Sequence, residues 1–427
     1  MTKKVGILGG GESGIGAALL AKKYGHDIFL SDTAVIADTF RSELIFNNIP
    51  FEEKGHSLDR LDQMDVIVKS PGIPNDATVI LALRDKGLSV ISEIEWAYKH
   101  CPGKILGITG SNGKTTTTML CYHLMHHAGV DAVQCGNVGT GFCRVLTEEA
   151  RAWYVVEISS FQLDDVETFR PDIGILLNIT PDHLNRYGGE MLRYAEAKMM
   201  IAKYMRPDDV LIYNVQDNVI REMLSKRKYK CELHGMTPRD SADFGVPSTV
   251  LPGAHNALNA ACAIAAVKRI GVNDDAIREA LSSFKRPDHR MEDVAVINGV
   301  RYIDDSKATN VDSVYYALEA IKSPVIWIAG GQDKGNDYAQ LFDLVPEKVK
   351  KLICLGIDNK NLIQAFSSKV DDMEETTSMF EAVSMAASNA SPGDTVLLSP
   401  ACASFDLFKN YMHRGEMFKV EVLKLKN

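Results

Sequence analysis

Ile105-Leu-Gly-Ile-Thr-Gly-Ser-Asn-Gly-Lys-Thr-Thr-Thr-Thr118 is an apolar run that breaks at a glycine-rich turn and resumes as a helical pattern. Ile105 to Ile108 has the composition of a buried strand, and Thr115 to His127 reads as the helix behind the turn. A glycine turn opening a helix aims several backbone N–H groups at one spot, where phosphate oxygens are held. Lys114 then reaches the terminal phosphates, and the Thr115 hydroxyl is placed to ligate Mg²⁺. The usual phosphate-loop spacing asks for glycine where Ile108 stands, so the stretch is a variant, with Gly107 and Gly110 on either side. It predicts a nucleoside-triphosphate site built from Gly110, Ser111, Asn112, Gly113, Lys114, Thr115 and Thr116.

The rest of the chain is consistent with an enzyme acting on small ligands. Its 427 residues suffice for two to four domains, and 45% apolar with 24% charged residues is an ordinary globular composition. A net charge of -9 argues against a nucleic-acid binder, which normally carries a basic stripe. Eight cysteines without a Cys-x-x-Cys pair read as reduced thiols. Met1 to Lys4 runs straight into a strand, and no apolar run reaches membrane-spanning length, so a cytoplasmic, soluble chain is expected.

Val5-Gly-Ile-Leu-Gly-Gly-Gly-Glu-Ser-Gly-Ile-Gly16 is again strand, glycine turn and helix. Gly9, Gly11 and Gly14 satisfy G-x-G-x-x-G, and Asp32 closes the next strand, which taken alone is a dinucleotide fingerprint. The segment ends near Glu93, short for a full dinucleotide domain. A small parallel sheet holding a diphosphate and nucleoside other than NAD is therefore expected. The alternative is a glycine turn used only for close helix–strand packing.

Two strands after the phosphate loop carry polar ends. Trp153 to Glu157 ends on a carboxylate suited to Mg²⁺, and Ile173 to Leu177 runs into Asn178-Ile-Thr-Pro-Asp-His-Leu-Asn-Arg-Tyr187. His183 gains interest from that position. Lys198, in a strongly helical segment, reads from pattern alone as a surface lysine. His123, His126 and His127 read as helix-face residues, and Lys226 to Lys230 as a solvated turn. Near the start of an Ala-rich helix, His255, Asn256 and Asn259 either read a nucleobase or cap the helix. A further α/β unit begins around Ser283 to Pro287, with a hairpin through Asn298-Gly299. Its polar strand-end loops are Asp304 to Asn310, Gly330 to Gly335 and Ser399 to Asp406, and Asp371 to Glu375 reads as a solvated acidic face. Three α/β units with such loops suggest a site between domains.

Thr109-Gly-Ser-Asn-Gly-Lys-Thr115, Glu157-Ile-Ser-Ser-Phe-Gln162, Asp182-His183, His255-Asn-x-x-Asn259, His289-Arg290 and Asp305-Ser-Lys-Ala-Thr-Asn310 resemble, in this order, the signatures of the muramyl ligases. Ser70-Pro-Gly72 and Ser399-Pro-Ala-Cys-Ala-Ser-Phe-Asp406 are similar to the branch of that family that adds D-glutamate. The resemblance implies three domains: a small Rossmann-like sheet over 1–93, a central phosphate-loop α/β domain over 94–283, and a Rossmann-like α/β domain over 284–427. It implies an ATP-dependent amide ligase of cytoplasmic peptidoglycan precursor synthesis, joining D-glutamate to UDP-N-acetylmuramoyl-L-alanine through an acyl phosphate. A monomer with two Mg²⁺ ions, no nucleic-acid partner and no membrane insertion goes with it.

By position, the resemblance gives Lys114, Glu157, His183 and Lys198 the catalytic roles. Thr115 and Glu157 would hold the first Mg²⁺, and His183 with a carbamylated Lys198 the second. That carbamate would derive from CO2 and overrides the surface reading of Lys198. Asn259, Arg290, Asp305 and Lys307 would join the glycine loop in binding ATP. Ser13, Asp32, Thr33, Ser70 and Gly72 would hold the UDP part, and Asn137, Ser159 and Gln162 the muramyl-alanine. Thr309, Lys334, Ser404, Phe405 and Tyr411 would frame D-glutamate. Three positions depart from relatives or from the expected charge: Asn185 where an Asp is frequent, Ala34 where some carry a basic residue, and Glu12 inside an anion-binding turn, expected to point to solvent. The rival readings are another muramyl ligase or a folylpolyglutamate-type ligase, an NAD-dependent oxidoreductase resting on the first glycine turn, and an ATP-hydrolysing switch.

Overall fold

The computed structural model describes residues 2–246, 251 and 253–426. Short apolar runs bounded by glycine turns form its strands, which assemble into three sheets. The first holds β1 (Lys4–Leu8), β2 (Asp27–Ser31), β3 (Phe51–Glu52), β4 (Val66–Lys69) and β5 (Val90–Ser92), parallel, in the order β3-β2-β1-β4-β5. The second comprises β6 (Lys104–Thr109), β7 (Ala132–Gly136), β8 (Trp153–Glu157), β9 (Ile173–Leu176), β10 (Val210–Asn214) and β11 (Glu232–Met236). These are also parallel, in the order β11-β10-β9-β6-β8-β7. Burial on both faces explains why β1, β4, β6, β8 and β9 are nearly continuous apolar runs, whereas β3, β7 and β11 at the sheet edges are partly exposed.

These two sheets lie in one compact unit, residues 1–247 and 256–284. One apolar core runs through it, joining Ile15 and Leu30 of the first sheet region to Phe142, Tyr154 and Val156 of the second. Polar contacts cross the same seam. Lys69 Nζ lies 2.6 Å from Asp165 Oδ2 with both side chains buried, and the Arg84 guanidinium lies 2.5 Å from the other oxygen. Burial, opposed by Asp165, holds the Lys69 amine below its ordinary range. Buried Glu95 accepts the backbone N–H groups of Glu167, Thr168 and Phe169, so the end of the first sheet is stitched to the loop before β9.

The second compact unit, residues 248–255 and 285–427, is built on the third sheet. This contains β12 (Glu292–Ile297), β13 (Val300–Asp304), β14 (Val325–Gly330), β15 (Val349–Leu355), β16 (Met373–Thr376) and β17 (Thr395–Ala401), in the order β12-β13-β17-β14-β15-β16. The hairpin β12–β13 turns through Asn298 and Gly299 at φ 51° and 78°, both left-handed as a two-residue turn of the primed type requires. Apolar clusters cover both faces of the sheet, one around Trp327 and Phe366, the other around Ile328 and Phe418. The acidic run at 371–375 is not merely a solvated face. Its second half forms edge strand β16, and Asp372 and Glu374 both pair with Lys351 on the neighbouring strand. Among the described residues no helix is long and apolar enough to cross a membrane.

Candidate active site

The phosphate loop emerges from β6, which lies between β8 and β9. Register sets Ile108 beside Glu157 and Thr109 beside Leu176, so the carboxyl ends of both neighbours flank the glycine turn. This is the position where open α/β sheets bind ligands. Gly113 stands at φ 84°, and a Cβ there would come within 2.5 Å of Asn259 Oδ1. Glycine is thus needed twice at one position, for its backbone angle and for the amide seated over it. Asn259 is 3% exposed and its amide nitrogen reaches Asn256 Oδ1 at 3.2 Å, so it does more than cap the helix Ala254–Ile270.

The loop after β9 supports the turn from the other side. Asn112 N donates to Asn178 Oδ1 at 2.8 Å, and Ser111 N to Asn178 O at 2.9 Å. The Ser111 hydroxyl donates to Thr180 O at 2.8 Å and meets the Tyr194 hydroxyl at 2.9 Å. Lys114 and Lys198 both donate to Gly110 O, at 2.8 and 2.7 Å. Lys198 is not a surface residue: it is 1% exposed and lies over the Tyr194 ring at 4.7 Å. Burial first, and the neighbouring Lys114 cation second, push its amine far below the usual lysine range. The periodicity that suggested a surface lysine missed that Tyr194 and Lys198, four residues apart, share the inward face of the helix Met191–Met199.

Glu157 is buried, and Asn137 Nδ2 donates to its Oε1 at 3.0 Å. Ser159 donates through both N and Oγ to Gln162 Oε1, closing the short helix Ser160–Leu163. Gln162 also bonds buried Glu93, whose Oε1 accepts Cys143 N at 2.6 Å. Sequence reasoning passed over Glu93 because a Glu in the first turn of a helix is unremarkable. The second oxygen has no hydrogen-bond partner among the described residues, and burial raises the carboxyl to about 7. The folded state therefore holds a proton that the unfolded chain, at 4.5, has released. Glu93 contributes stability that is full below 4.5 and lost as pH rises through 7. Glu93→Gln is expected to flatten the fall of the urea midpoint across that window, and an unchanged slope counts against the assignment.

His183 adopts φ 54° and faces the Phe161 ring, with centroids 5.1 Å apart. Its Nε2 lies 3.6 Å from Asp182 Oδ2, and the side chain is 37% exposed, leaving it accessible to a ligand. Asn185 is exposed. Arg186 was not anticipated. Its guanidinium donates to the carbonyls of Pro71, Gly72 and Ile73 at 3.1–3.4 Å while its face covers Phe161 at 4.5 Å. It thereby links the Ser70–Gly72 loop to the loop that carries His183.

In the first sheet, Gly9 stands at φ 100° and Gly14 packs against Gly9 O. Asp32 accepts Gly10 N at 2.6 Å and Ala34 N at 2.7 Å, so in this structure it fixes the turn. The Ser70 hydroxyl is buried beside Gly9, without a hydrogen-bond partner among the described residues. Glu12 does not point to solvent. Its carboxylate accepts Arg144 Nε at 2.8 Å and Gly141 N at 3.1 Å, and Arg144 also grips Glu43 at 2.6 Å. The negative charge that looked out of place in an anion-binding turn is thus neutralised from the second sheet.

In the second unit, β13, β17 and β14 are adjacent and parallel, so the loops that follow them gather at one end of the sheet. These loops carry Asp305, Lys307 and Thr309; Ser404 and Phe405; and Lys334. Gln332 and Ala403 exchange backbone hydrogen bonds, pinning two of the loops together. Asp305 is buried, accepts Met291 N at 3.1 Å and the Ser399 hydroxyl at 2.8 Å, and is raised by burial to about 7. Lys307 Nζ lies 3.8 Å over the Tyr411 ring. His289 Nδ1 meets Asp304 Oδ2 at 2.6 Å, and the hydrogen bond to Asp304 raises the imidazole above its ordinary value. The buried Arg414 guanidinium, invisible in sequence, ties Ser306 to the Cys402 carbonyl. Phe405 is 69% exposed.

A phosphate-loop sheet, a Rossmann-like sheet and a third sheet with polar strand-end loops follow one another in a chain that belongs to the Mur ligase family. Residues 108–267 match the Mur ligase middle domain, 289–402 the Mur ligase glutamate ligase domain, and 4–79 the MurD N-terminal domain. The chain is 45% identical to the UDP-N-acetylmuramoylalanine--D-glutamate ligase of Christiangramia forsetii, covering 100% of both chains. It is 44% identical to the ligase of the same name in Cytophaga hutchinsonii, again over 100% of each. Among solved structures, the UDP-N-acetylmuramate-alanine ligase of Thermotoga maritima shares the fold with a TM-score of 0.62 at 19% identity, with 100% of both chains covered.

Proposed function

We propose that this chain joins D-glutamate to UDP-N-acetylmuramoyl-L-alanine, with ATP cleaved to ADP and phosphate. Full-length identity of 45% to ligases of that name supports the substrate assignment. The observation that carries the chemistry is the pair of amines, Lys114 and Lys198, converging on Gly110 O at the head of a glycine turn flanked by Glu157.

The reaction needs no protein nucleophile. The substrate carboxylate attacks the γ-phosphorus, the bond to ADP breaks, and an acyl phosphate forms. The amine of D-glutamate then attacks the acyl carbon, loses a proton, and phosphate departs. Lys114 and the N–H groups of the glycine turn neutralise charge on the transferring oxygens, which is where most of the barrier lies in such transfers. Gln162 and Ser159 hold the acceptor in line, with Glu93 fixing the Gln162 amide. The buried, unpartnered Ser70 hydroxyl beside the first glycine turn suits the UDP part with Ser13, Asp32, Thr33 and Gly72. Asn137 adds an amide to the acceptor site. Asn259, Arg290, Asp305 and Lys307 take ATP, and Thr309, Lys334, Ser404, Phe405 and Tyr411 take D-glutamate.

The Thr115 hydroxyl and Glu157 carboxylate would hold a first Mg²⁺ and the His183 imidazole a second. When bound, Mg²⁺ supplies charge neutralisation on the phosphoryl oxygens. Lys198 would complete the second site with His183 once it carries a carbamate, because a buried neutral amine is the form that adds CO2 and becomes an oxygen donor. The domain ranges 1–93, 94–283 and 284–427 correspond to UDP-substrate, ATPase and amino-acid roles. The enzyme works in the cytoplasm as a monomer.

Phosphate release from ATP and Mg²⁺ in the presence of UDP-N-acetylmuramoyl-L-alanine is expected only when D-glutamate is added, with a new amide product by mass spectrometry. Release with L-glutamate or L-alanine instead would discard the amino-acid assignment and keep the phosphate site.

A further inference from the structure

The helix that carries Lys198 has a second use. Lys198 turns inward to Gly110, whereas Glu196, Met199 and Met200 border a cleft of about 320 Å³ on the other side. Met199, Met205 and Met223 are buried, and half-buried Tyr204 and Tyr229 add two aromatic faces. Five cations surround it: Lys203, Arg206, Arg227, Lys228 and Lys230. No carboxylate partner is found for any of the five among the described residues, and Glu196 is the one acid lining the cleft. Lys226, next in the chain, shows the contrast by pairing with Glu222.

This arrangement is unusual for a chain with 56 acidic against 47 basic residues and a net charge of -9. Five like charges gathered against one carboxylate repel one another, and a low-dielectric cleft wall focuses their field on whatever enters. An anion relieves that repulsion. Methionine and tyrosine side chains offer adaptable, flat contact to a ring. The volume falls in the range of small-ligand pockets. The cleft shares Lys203 and Arg227 with a neighbouring one of about 390 Å³ that extends to Arg186 and Asn75.

We propose that this cleft is a second ligand site, separate from the phosphate loop, for a small aromatic anion of the phosphate or sulfonate class. Its anionic group sits among Lys203, Arg227 and Lys228, and its ring lies on Tyr204, Tyr229 and the methionines. The site needs neither the UDP nor the ATP machinery for its chemistry.

The probe is anilinonaphthalene sulfonate, titrated by fluorescence into the full-length chain at low and at high salt. A single saturable equivalent is expected, weakened by salt and displaced by inorganic pyrophosphate. The double variant Arg227→Glu/Lys228→Glu is expected to bind at least about tenfold more weakly, because two attractive charges become repulsive. Both residues are exposed at the end of a helix, so folding by circular dichroism and ligase turnover are expected to stay at the wild-type level. Neutralisation by Lys203→Gln/Lys230→Gln gives a milder version of the same loss if the reversal disturbs folding. Lys114→Ala is expected to leave probe binding unchanged. Wild-type binding in both charge variants, loss of binding in Lys114→Ala, or no saturable binding at all would each overturn the proposal.

Discussion

Lys198→Ala is expected to lower turnover by a factor on the order of 10²–10³, the scale of losing one charge stabiliser in a transition state, while the chain remains folded. The expectation rests on how thoroughly this amine is removed from water. It is 1% exposed, donates to Gly110 O at 2.7 Å, and has the Lys114 cation as a neighbour. A protonated amine there would meet both a desolvation penalty and like-charge repulsion, and both favour the neutral form. Short carboxylates such as formate or acetate are expected to restore part of the Lys198→Ala activity by standing in for the lost oxygen donor. Lys198→Arg is not rescued, since a guanidinium stays charged. Full turnover in the alanine variant would remove the carbamate role altogether. Linkage gives an independent readout. With the folded value below the unfolded 10.5, the unfolded chain binds the extra proton, and stability rises with pH between the two. Lys198→Met is expected to flatten that rise.

Gly14→Ala is expected to cost about 4 kcal/mol or more, in the range reserved for severe backbone conflicts, and to abolish binding of the UDP substrate. A Cβ at this position would lie 1.8 Å from Gly9 O and 2.9 Å from its carbonyl carbon. Neither side has room to yield: Gly9 is locked at φ 100° and bonded to Ser31 O, and Gly14 belongs to the helix Glu12–Lys23. Gly11 belongs to the same motif, yet a Cβ on it meets nothing within 4 Å. Gly11→Ala therefore serves as the control, with a urea midpoint near wild type. Equal losses of midpoint in both variants would mean that the contact with Gly9 O is not what sets the cost.

Much of this was legible in the sequence because it depends on neighbours in the chain. The glycine turns, the strands leading into them and the Asn298-Gly299 hairpin all follow from local backbone chemistry. Weakly apolar strands such as β7 and β11 were not legible, since pairing with stronger neighbours creates them. Glu93, Arg186 and Arg414 escaped for a related reason. Each sits in an ordinary local pattern and acquires its role from partners 50, 113–115 and 12–108 residues away. Lys198 lay between these cases, with the clue confined to the aromatic residue one helical turn earlier.

Arg186 grips only peptide oxygens in the 71–73 loop, and a Cβ on Gly72 would meet nothing within 4 Å. The hold is therefore blind to which side chains that loop carries. A side-chain substitution at Pro71 or Ile73 therefore leaves the clasp itself intact, as long as the planar fork opposite it stays in place. The side chain that fixes this seam is thus an arginine more than a hundred residues downstream of the segment it holds.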